Sequence, residues 1–274
     1  MTVLDDIIAG VREDLDARRA LQSLDVVKQR AAQAPAALDA YAALGGHADP
    51  AQRDTVLRVI SEVKRKSPSK GALADIPEPA VLAGEYEAGG ASVISVLTEA
   101  RRFGGSLDDL DAVRQAVSIP VLRKDFTVDE YQIYEARAHG ADLVLLIVAA
   151  LDDQRLRTFL ELTHDLGMNA LVETHTEEEI ARAIAAGAKI IGVNVRNLKT
   201  LDVDPANFGK LAHLLPADAV IVAESGVEST VQVRQYAADG ADAILVGEAL
   251  VKHADPRTSV QEFIQAGTAA KPQR

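Results

Sequence analysis

The chain reads as an α/β protein, a closed (β/α)8 TIM barrel preceded by an N-terminal helical extension. From residue 57 onward, eight short, β-branched apolar runs alternate with alanine-rich helical stretches, and four of the connections leading into strands repeat one glycine phrase. Bulk agrees with this: 274 residues of 48% hydrophobic composition supply a core large enough for one big domain. Residues 1–274 are therefore expected to form a single barrel domain, with residues 1–50 packed on it as an extension.

The extension comes first. Leu4, Ile7, Ile8, Val11 and Leu15 recur at helical spacing with acids and arginines on the opposite face, so this segment is an amphipathic helix in search of a larger partner. A second helical piece over 23–34 ends at Pro35, and Gly45-Gly46-His47-Ala48-Asp49-Pro50 reads as a loop. The segment has no basic start, apolar run and small-residue cleavage site in series, so it is not read as a secretory signal.

The strands follow as LRVISEV (57–63), ASVISVLT (91–98), IPVLRK (119–124), ADLVLLIV (141–148), NALVE (169–173), KIIGVN (189–194), AVIVA (219–223) and DAILV (242–246). Their starts are 20 to 34 residues apart, the room a strand plus a crossover helix needs. Nearly unbroken hydrophobicity in each run predicts burial on both faces, as in a parallel sheet under helices. Eight such units favour a closed barrel over an open doubly wound sheet. Before strands 2, 4, 6 and 8 stand Ala-Gly-Gly-Ala, His-Gly-Ala-Asp, Ala-Gly-Ala-Lys and Asp-Gly-Ala-Asp. A glycine there ends a helix in the left-handed conformation that side-chain-bearing residues avoid.

Composition removes several function classes. With no cysteine there is no disulfide framework, thiolate metal site or thiol nucleophile. A formal charge of −12, from 29 basic and 41 acidic residues, argues against a broad nucleic-acid surface. No apolar run approaches the ~20 residues that cross a bilayer. Histidines at 47, 139, 164, 175, 213 and 253 show no metal-ligand spacing. Neither a nucleophile elbow nor a dinucleotide fingerprint is present. No metal and no cofactor are expected, and the partner expected is a small anionic molecule, with no nucleic acid and no membrane. A cytoplasmic monomer is the expected state.

Barrel chemistry sits at the C-terminal ends of the strands, so the informative residues are the polar ones that interrupt the apolar runs there. Glu62 and Lys64 share the parity of Ile60 and point inward if Ile60 is core. Lys124 ends strand 3, Glu173 strand 5, Asn194 strand 6, and Glu224 with Ser225-Gly226 strand 7. Singly, each is the charged residue that ordinarily ends a strand in solvent. Together, two lysines, three glutamates and an asparagine on five strands would converge on one mouth and shift one another's pKa, an acid/base constellation. Ser225-Gly226 and Gly247-Glu248 stand where barrels often hold a phosphate on backbone amides. The basic run Lys64-Arg65-Lys66-Ser67-Pro68-Ser69-Lys70-Gly71 reads as a mobile active-site loop, with Lys64, Lys66 and Lys124 giving the mouth its positive charge. His175, two residues past Glu173, is within reach of the mouth, but a surface-loop position is the expectation.

The phrases Ile60-Ser-Glu-Val-Lys-Arg-Lys-Ser-Pro-Ser69, Val121-Leu-Arg-Lys-Asp-Phe126, Leu171-Val-Glu173, Ile191-Gly-Val-Asn-Val-Arg-Asn-Leu198, Ala223-Glu-Ser-Gly-Val227 and Val246-Gly-Glu-Ala-Leu250 resemble, in order, the strand-end motifs of the indole-3-glycerol phosphate synthase family. The resemblance spans the chain. It implies ring closure of 1-(2-carboxyphenylamino)-1-deoxyribulose 5-phosphate with loss of CO2 and water, a carboxy-lyase step of tryptophan biosynthesis. It implies Lys124 as general acid on the ketone oxygen, Glu173 as general base, and Glu62 with Lys64 as a strand-1 pair that binds substrate and assists later proton transfers. Asn194 and Glu224 would complete the catalytic set by positioning the substrate. Ser67, Phe126, Arg196, Ser225, Gly226, Leu245, Gly247 and Glu248 would make the substrate and phosphate contacts. Glu248 stands where some of the family have serine, which puts the role of its side chain in question. Two other readings remain open on the residues alone. A Schiff-base aldolase also uses a lysine at a barrel strand end, and a sugar-phosphate-binding barrel would keep the site without turnover.

Overall fold

The computed structural model describes residues 2–198, 200–252 and 255–272. Eight parallel strands close on themselves in sequence order: β1 (Arg58–Val63), β2 (Val93–Leu97), β3 (Val121–Lys124), β4 (Leu143–Ile147), β5 (Asn169–Thr174), β6 (Ile190–Asn194), β7 (Val220–Glu224) and β8 (Ala243–Val246), with β8 pairing back onto β1. This is the predicted TIM barrel, and its strands lie within a residue or two of the expected runs.

Alternation along the strands sorts side chains between two cores. Ile60, Val93, Leu122, Leu145, Leu171, Ile190, Val222 and Leu245 fill the barrel interior. The opposite parity, including Val59, Ile94, Val121, Leu146, Val172, Ile191 and Ile244, packs under the helices. Burial on both faces explains why the runs carry almost no polar residues until their ends.

Helices α4 (Pro79–Ala88), α5 (Leu107–Ala116), α6 (Glu130–Ala138), α7 (Asp153–Asp165), α8 (Glu177–Ala186), α9 (Ala206–Ala212) and α10 (Thr230–Ala238) connect successive strands, and α11 (Glu248–Lys252) and α12 (Pro256–Thr268) follow β8. One glycine of each repeated phrase takes the left-handed conformation, Gly90 at φ 95°, Gly140 at 77°, Gly187 at 89° and Gly240 at 103°. Each ends a helix there, as the phrase predicts.

The extension forms α1 (Val3–Leu21), α2 (Leu24–Gln33) and the single turn α3 (Ala40–Ala43). Thr2 caps α1 in a reciprocal box with Asp5. Its apolar stripe, Leu4, Ile7, Val11 and Leu15, is buried. Its polar face is pinned to the mouth loops: Arg101 bonds Glu13 and Asp14 at 2.7 and 2.6 Å, Arg102 pairs with Asp6, and Arg19 with Asp129. The other end of the extension reaches the opposite face. Ala40 and Leu44 enter the barrel-interior cluster, and the Ala40 amide donates to Asn169 Oδ1 at the start of β5 (2.8 Å). The extension therefore spans the barrel from mouth to floor.

Candidate active site

The mouth encloses a cavity of about 660 Å³, lined by all the residues expected to catalyse or to contact substrate, Glu62, Lys64, Ser67, Lys124, Phe126, Glu173, Asn194, Arg196, Glu224, Ser225, Gly226, Leu245, Gly247 and Glu248. Strand register is what brings them level. Glu173 stands beside Gly192, Asn194 beside Glu224, and Glu224 beside Leu245.

Lys124 is the centre of the arrangement. Its Nζ donates to Glu224 Oε2 at 3.0 Å and lies 3.7 Å from Glu173 Oε2 and 4.0 Å from Glu62 Oε2. Burial alone would push its pKa down, but Glu224, Glu173 and Glu62 together outweigh it and raise it. That answers a question of net direction which the sequence leaves open: Lys124 is an ammonium group.

The three carboxyls around it are not equivalent. Burial favours protonation of Glu62, but Lys64, ion-paired to its Oε1, and then Lys124 hold its pKa below the usual range. Glu173 is buried too, yet His175, Lys124 and Asn194 hold it down and ionised. For Glu224 burial wins, with the Glu173 charge adding to it, and its pKa is raised despite Lys124. Among the described residues Glu224 Oε1 is buried without a hydrogen-bond partner, an environment that a neutral carboxyl tolerates far better than an anion. It occupies the space over Gly192, where an added Cβ would lie only 2.0 Å from it. Gly192 is thus the cradle of the Glu224 carboxyl, a role invisible in an apolar strand run.

Asn194 is oriented by its neighbours. Its Oδ1 accepts from the Arg196 amide (3.0 Å) and Ser225 Oγ (2.9 Å), which leaves its NH2 to face Glu173. After β7, Ser225 (φ 68°) and Gly226 (φ 71°) are both left-handed, and for a serine that backbone is uncommon. Tyr236 stabilises the turn by donating to the Ser225 carbonyl at 3.1 Å. After β8, Gly247 lets the chain pass close to Glu62, whose Oε1 would be 2.9 Å from a Cβ there.

The basic loop departs from expectation. It forms a short hairpin, residues 66–67 against 71–72. Arg65 turns away from the mouth to Asp109 and the Ile76 carbonyl, and Lys66 is exposed and does not line the cavity. Lys70 supplies the charge instead, with Nζ 2.6 Å from Glu248 Oε1, so the Glu248 side chain ties the loop after β8 to the hairpin. Arg196 reaches the same hairpin at Ser69 Oγ (3.3 Å).

His175 is a second correction. It is only partly exposed and sits behind Glu173, with Nε2 3.3 Å from Glu173 Oε1. His253 lies outside the described residues. Sequence reasoning also missed the apolar wall: Val3, Leu4 and Ile7 of α1, Phe103 after β2, and Leu145 and Ile147 of β4. Phe103 and Phe126 rings meet at 6.1 Å, so the cavity carries an aromatic patch beside its charged groups.

The model of the family described as indole-3-glycerol phosphate synthase matches residues 4–263. The chain belongs to the indole-3-glycerol phosphate synthase family. Relatives of that name include one from Paenarthrobacter aurescens, 67% identical over 98% of each chain, and one from Micrococcus luteus, 66% identical over 99% of this chain and 100% of the relative. Among solved structures it resembles a 3-hexulose-6-phosphate synthase from Salmonella typhimurium, with a TM-score of 0.60 at 18% identity over 78% of this chain and 100% of the other, a likeness of fold alone. As a member of the family it is a carboxy-lyase of tryptophan biosynthesis. Among the described residues no helix is long and apolar enough to cross a membrane.

Proposed function

We propose that this chain converts 1-(2-carboxyphenylamino)-1-deoxyribulose 5-phosphate to indole-3-glycerol phosphate through Lys124 as general acid and Glu173 as general base. The observation that carries this reading is Lys124 Nζ, held charged among three buried carboxyls at the base of a cavity with an aromatic patch beside its charged groups.

The carboxyl-bearing ring carbon attacks the ketone while Lys124 donates a proton to the ketone oxygen, forming a hydroxyl. The ring is then cationic, and the C–CO2 bond breaks to return its electron pair and restore aromaticity. The hydroxyl leaves as water with a second proton from the Lys124 and Lys64 pair, and Glu173 takes the proton whose loss completes the indole. One proton is consumed overall, matching the carboxylate charge lost as CO2.

Glu224, neutral and hydrogen-bonded to Lys124, and Asn194, bonded toward Glu173, hold these two groups in place. Glu62 and Lys64 bind substrate and recharge the acid. Ser67, Ser225, Gly226, Gly247 and the Glu248 amide receive the phosphate, Arg196 orients the substrate carboxylate, and Phe126 with Leu245 packs the aryl ring. An acidic protein needs such a focused cationic mouth to attract a doubly anionic substrate.

Schiff-base chemistry at Lys124 is disfavoured because a nucleophilic amine must be neutral, and this one is stabilised as ammonium. The reading takes the chain as one barrel domain acting as a cytoplasmic monomer on a small anionic substrate, without cofactor, nucleic-acid or membrane partner. Incubating the protein with the substrate and following indole fluorescence tests it, and borohydride trapping of an adduct on Lys124 would overturn it.

A further inference from the structure

Behind the general base stands a residue that the reaction scheme does not use. His175 follows β5, and its imidazole lies between two carboxylates: Nε2 is 3.3 Å from Glu173 Oε1, and Nδ1 is 3.0 Å from Glu179 Oε2. The same Glu179 oxygen accepts from the His175 amide at 2.7 Å. Glu179 is itself fixed. It lies in the first turn of α8, where Thr176 caps the Glu179 amide (3.2 Å) and the helix dipole favours acids.

A neutral imidazole carries one N–H and one lone pair, so between two carboxylates it would leave one of them facing a lone pair. An imidazolium presents positive charge to both: Nδ1 bonds Glu179, and Nε2 is ion-paired with Glu173 without the alignment of a hydrogen bond. The charged groups acting on the ring are Glu173 from β5 and Glu179 from α8, both anionic, and although burial opposes it, their effect raises the His175 pKa to about 10. The two oxygens of Glu173 are thereby divided, Oε1 toward His175 and Oε2 toward Lys124 at 3.7 Å.

We propose that His175, anchored by Glu179, is a positioning residue for Glu173: it holds Oε1, keeps the carboxylate ionised, and leaves Oε2 facing the reacting atoms. The proposal rests on the reading of Glu173 as general base. His175 does not line the cavity, so its effect passes through Glu173 alone and belongs in turnover rather than in substrate binding.

His175→Asn and Glu179→Gln test this with the carboxyphenylamino deoxyribulose phosphate as substrate, kcat and KM being measured separately from about pH 3 to 9, low enough to reach the Glu173 limb, and Glu173→Gln run in parallel. The expected result for His175→Asn is a fall in kcat of about 10- to 100-fold, part of the 10²- to 10⁴-fold typical of a general base, with KM changed by less than about twofold. Its acid limb moves to higher pH, because Glu173 has lost the cation that holds its pKa down. Glu179→Gln shifts the profile in the same direction by less, since a glutamine oxygen still accepts from Nδ1. A His175→Asn profile of unchanged shape overturns the proposal, whether kcat is preserved or uniformly reduced. If Glu173→Gln retains activity, the reading of Glu173 fails instead, and the two failures are distinguishable.

Discussion

Replacing Lys124 by methionine removes the ammonium group while keeping most of the side-chain volume. A general acid contributes about 10²–10⁴-fold, so kcat should fall by about 10³-fold or more, close to 4 kcal/mol at ~1.36 kcal/mol per decade. The cost to stability should be much smaller. An orphaned buried charge costs about 3–5 kcal/mol, but each carboxyl around Lys124 keeps another means of support: Lys64 pairs with Glu62, His175 with Glu173, and Glu224 is already disposed to be neutral. That limits the loss to about 1–3 kcal/mol, as for a buried hydrogen-bonding group deprived of one partner. The assay is the growth of indole fluorescence, against which the protein is silent because it contains no tryptophan. Chemical denaturation followed by far-UV circular dichroism gives the stability. A folded Lys124→Met protein with kcat within tenfold of wild type would refute the acid role, and a loss of more than about 5 kcal/mol would refute the claim that the carboxyls have independent partners.

Gly192→Ala places a methyl 2.0 Å from Glu224 Oε1, so the carboxyl must swing away from Lys124; kcat should drop and denaturation should show about 1–3 kcal/mol of overpacking. Stability should fall from about pH 7 to 10, and thermal melts across that range should show it: His175 binds its proton more tightly folded (about 10) than unfolded (6.5), so its contribution is complete below 6.5 and lost as pH rises through about 10. Glu224, also raised, adds in the same sense above its ordinary value of 4.5, so in both His175→Asn and Glu224→Gln the decline should flatten. Glu248→Ser releases Lys70 from a partly exposed ion pair of at most about 1 kcal/mol, so KM should fall by up to about fivefold at low salt, with kcat unchanged.

The proposed catalytic set was legible because strand geometry is periodic. Once Ile60 is core, Glu62 must point inward, and the closed order of the strands puts Lys124, Glu173, Asn194 and Glu224 at the same end. What lay between strands was not legible. His175 is one residue past β5, and its direction is set by Glu179 on the next helix, a pull that no alternation rule encodes. Charge alone puts Lys66 in the mouth and Arg65 in an active-site loop, whereas Lys66 is exposed outside the cavity and Asp109 on α5 draws Arg65 outward. The stripe on α1 showed that the helix docks, but not that Val3, Leu4 and Ile7 roof the cavity. Leu145 and Ile147 could not be told from core, because an apolar residue at a strand end looks the same whether it meets packing or substrate.

Closure of the barrel has a consequence for when the chain acquires chemistry. The Leu57 amide, just before β1, bonds Thr268 Oγ1 across 211 residues of sequence, and Lys124 meets Glu224 across 100. Tyr41 reaches the Asp218 carbonyl across 177. Contacts of that span form late, because chain entropy must be spent before they are rewarded. No nascent fragment that ends before β7 can assemble the charged set around Lys124, and one that ends before β8 cannot complete the sheet that holds it. Competence therefore requires the chain through β8, and a partly made chain presents no complete mouth to a reactive substrate.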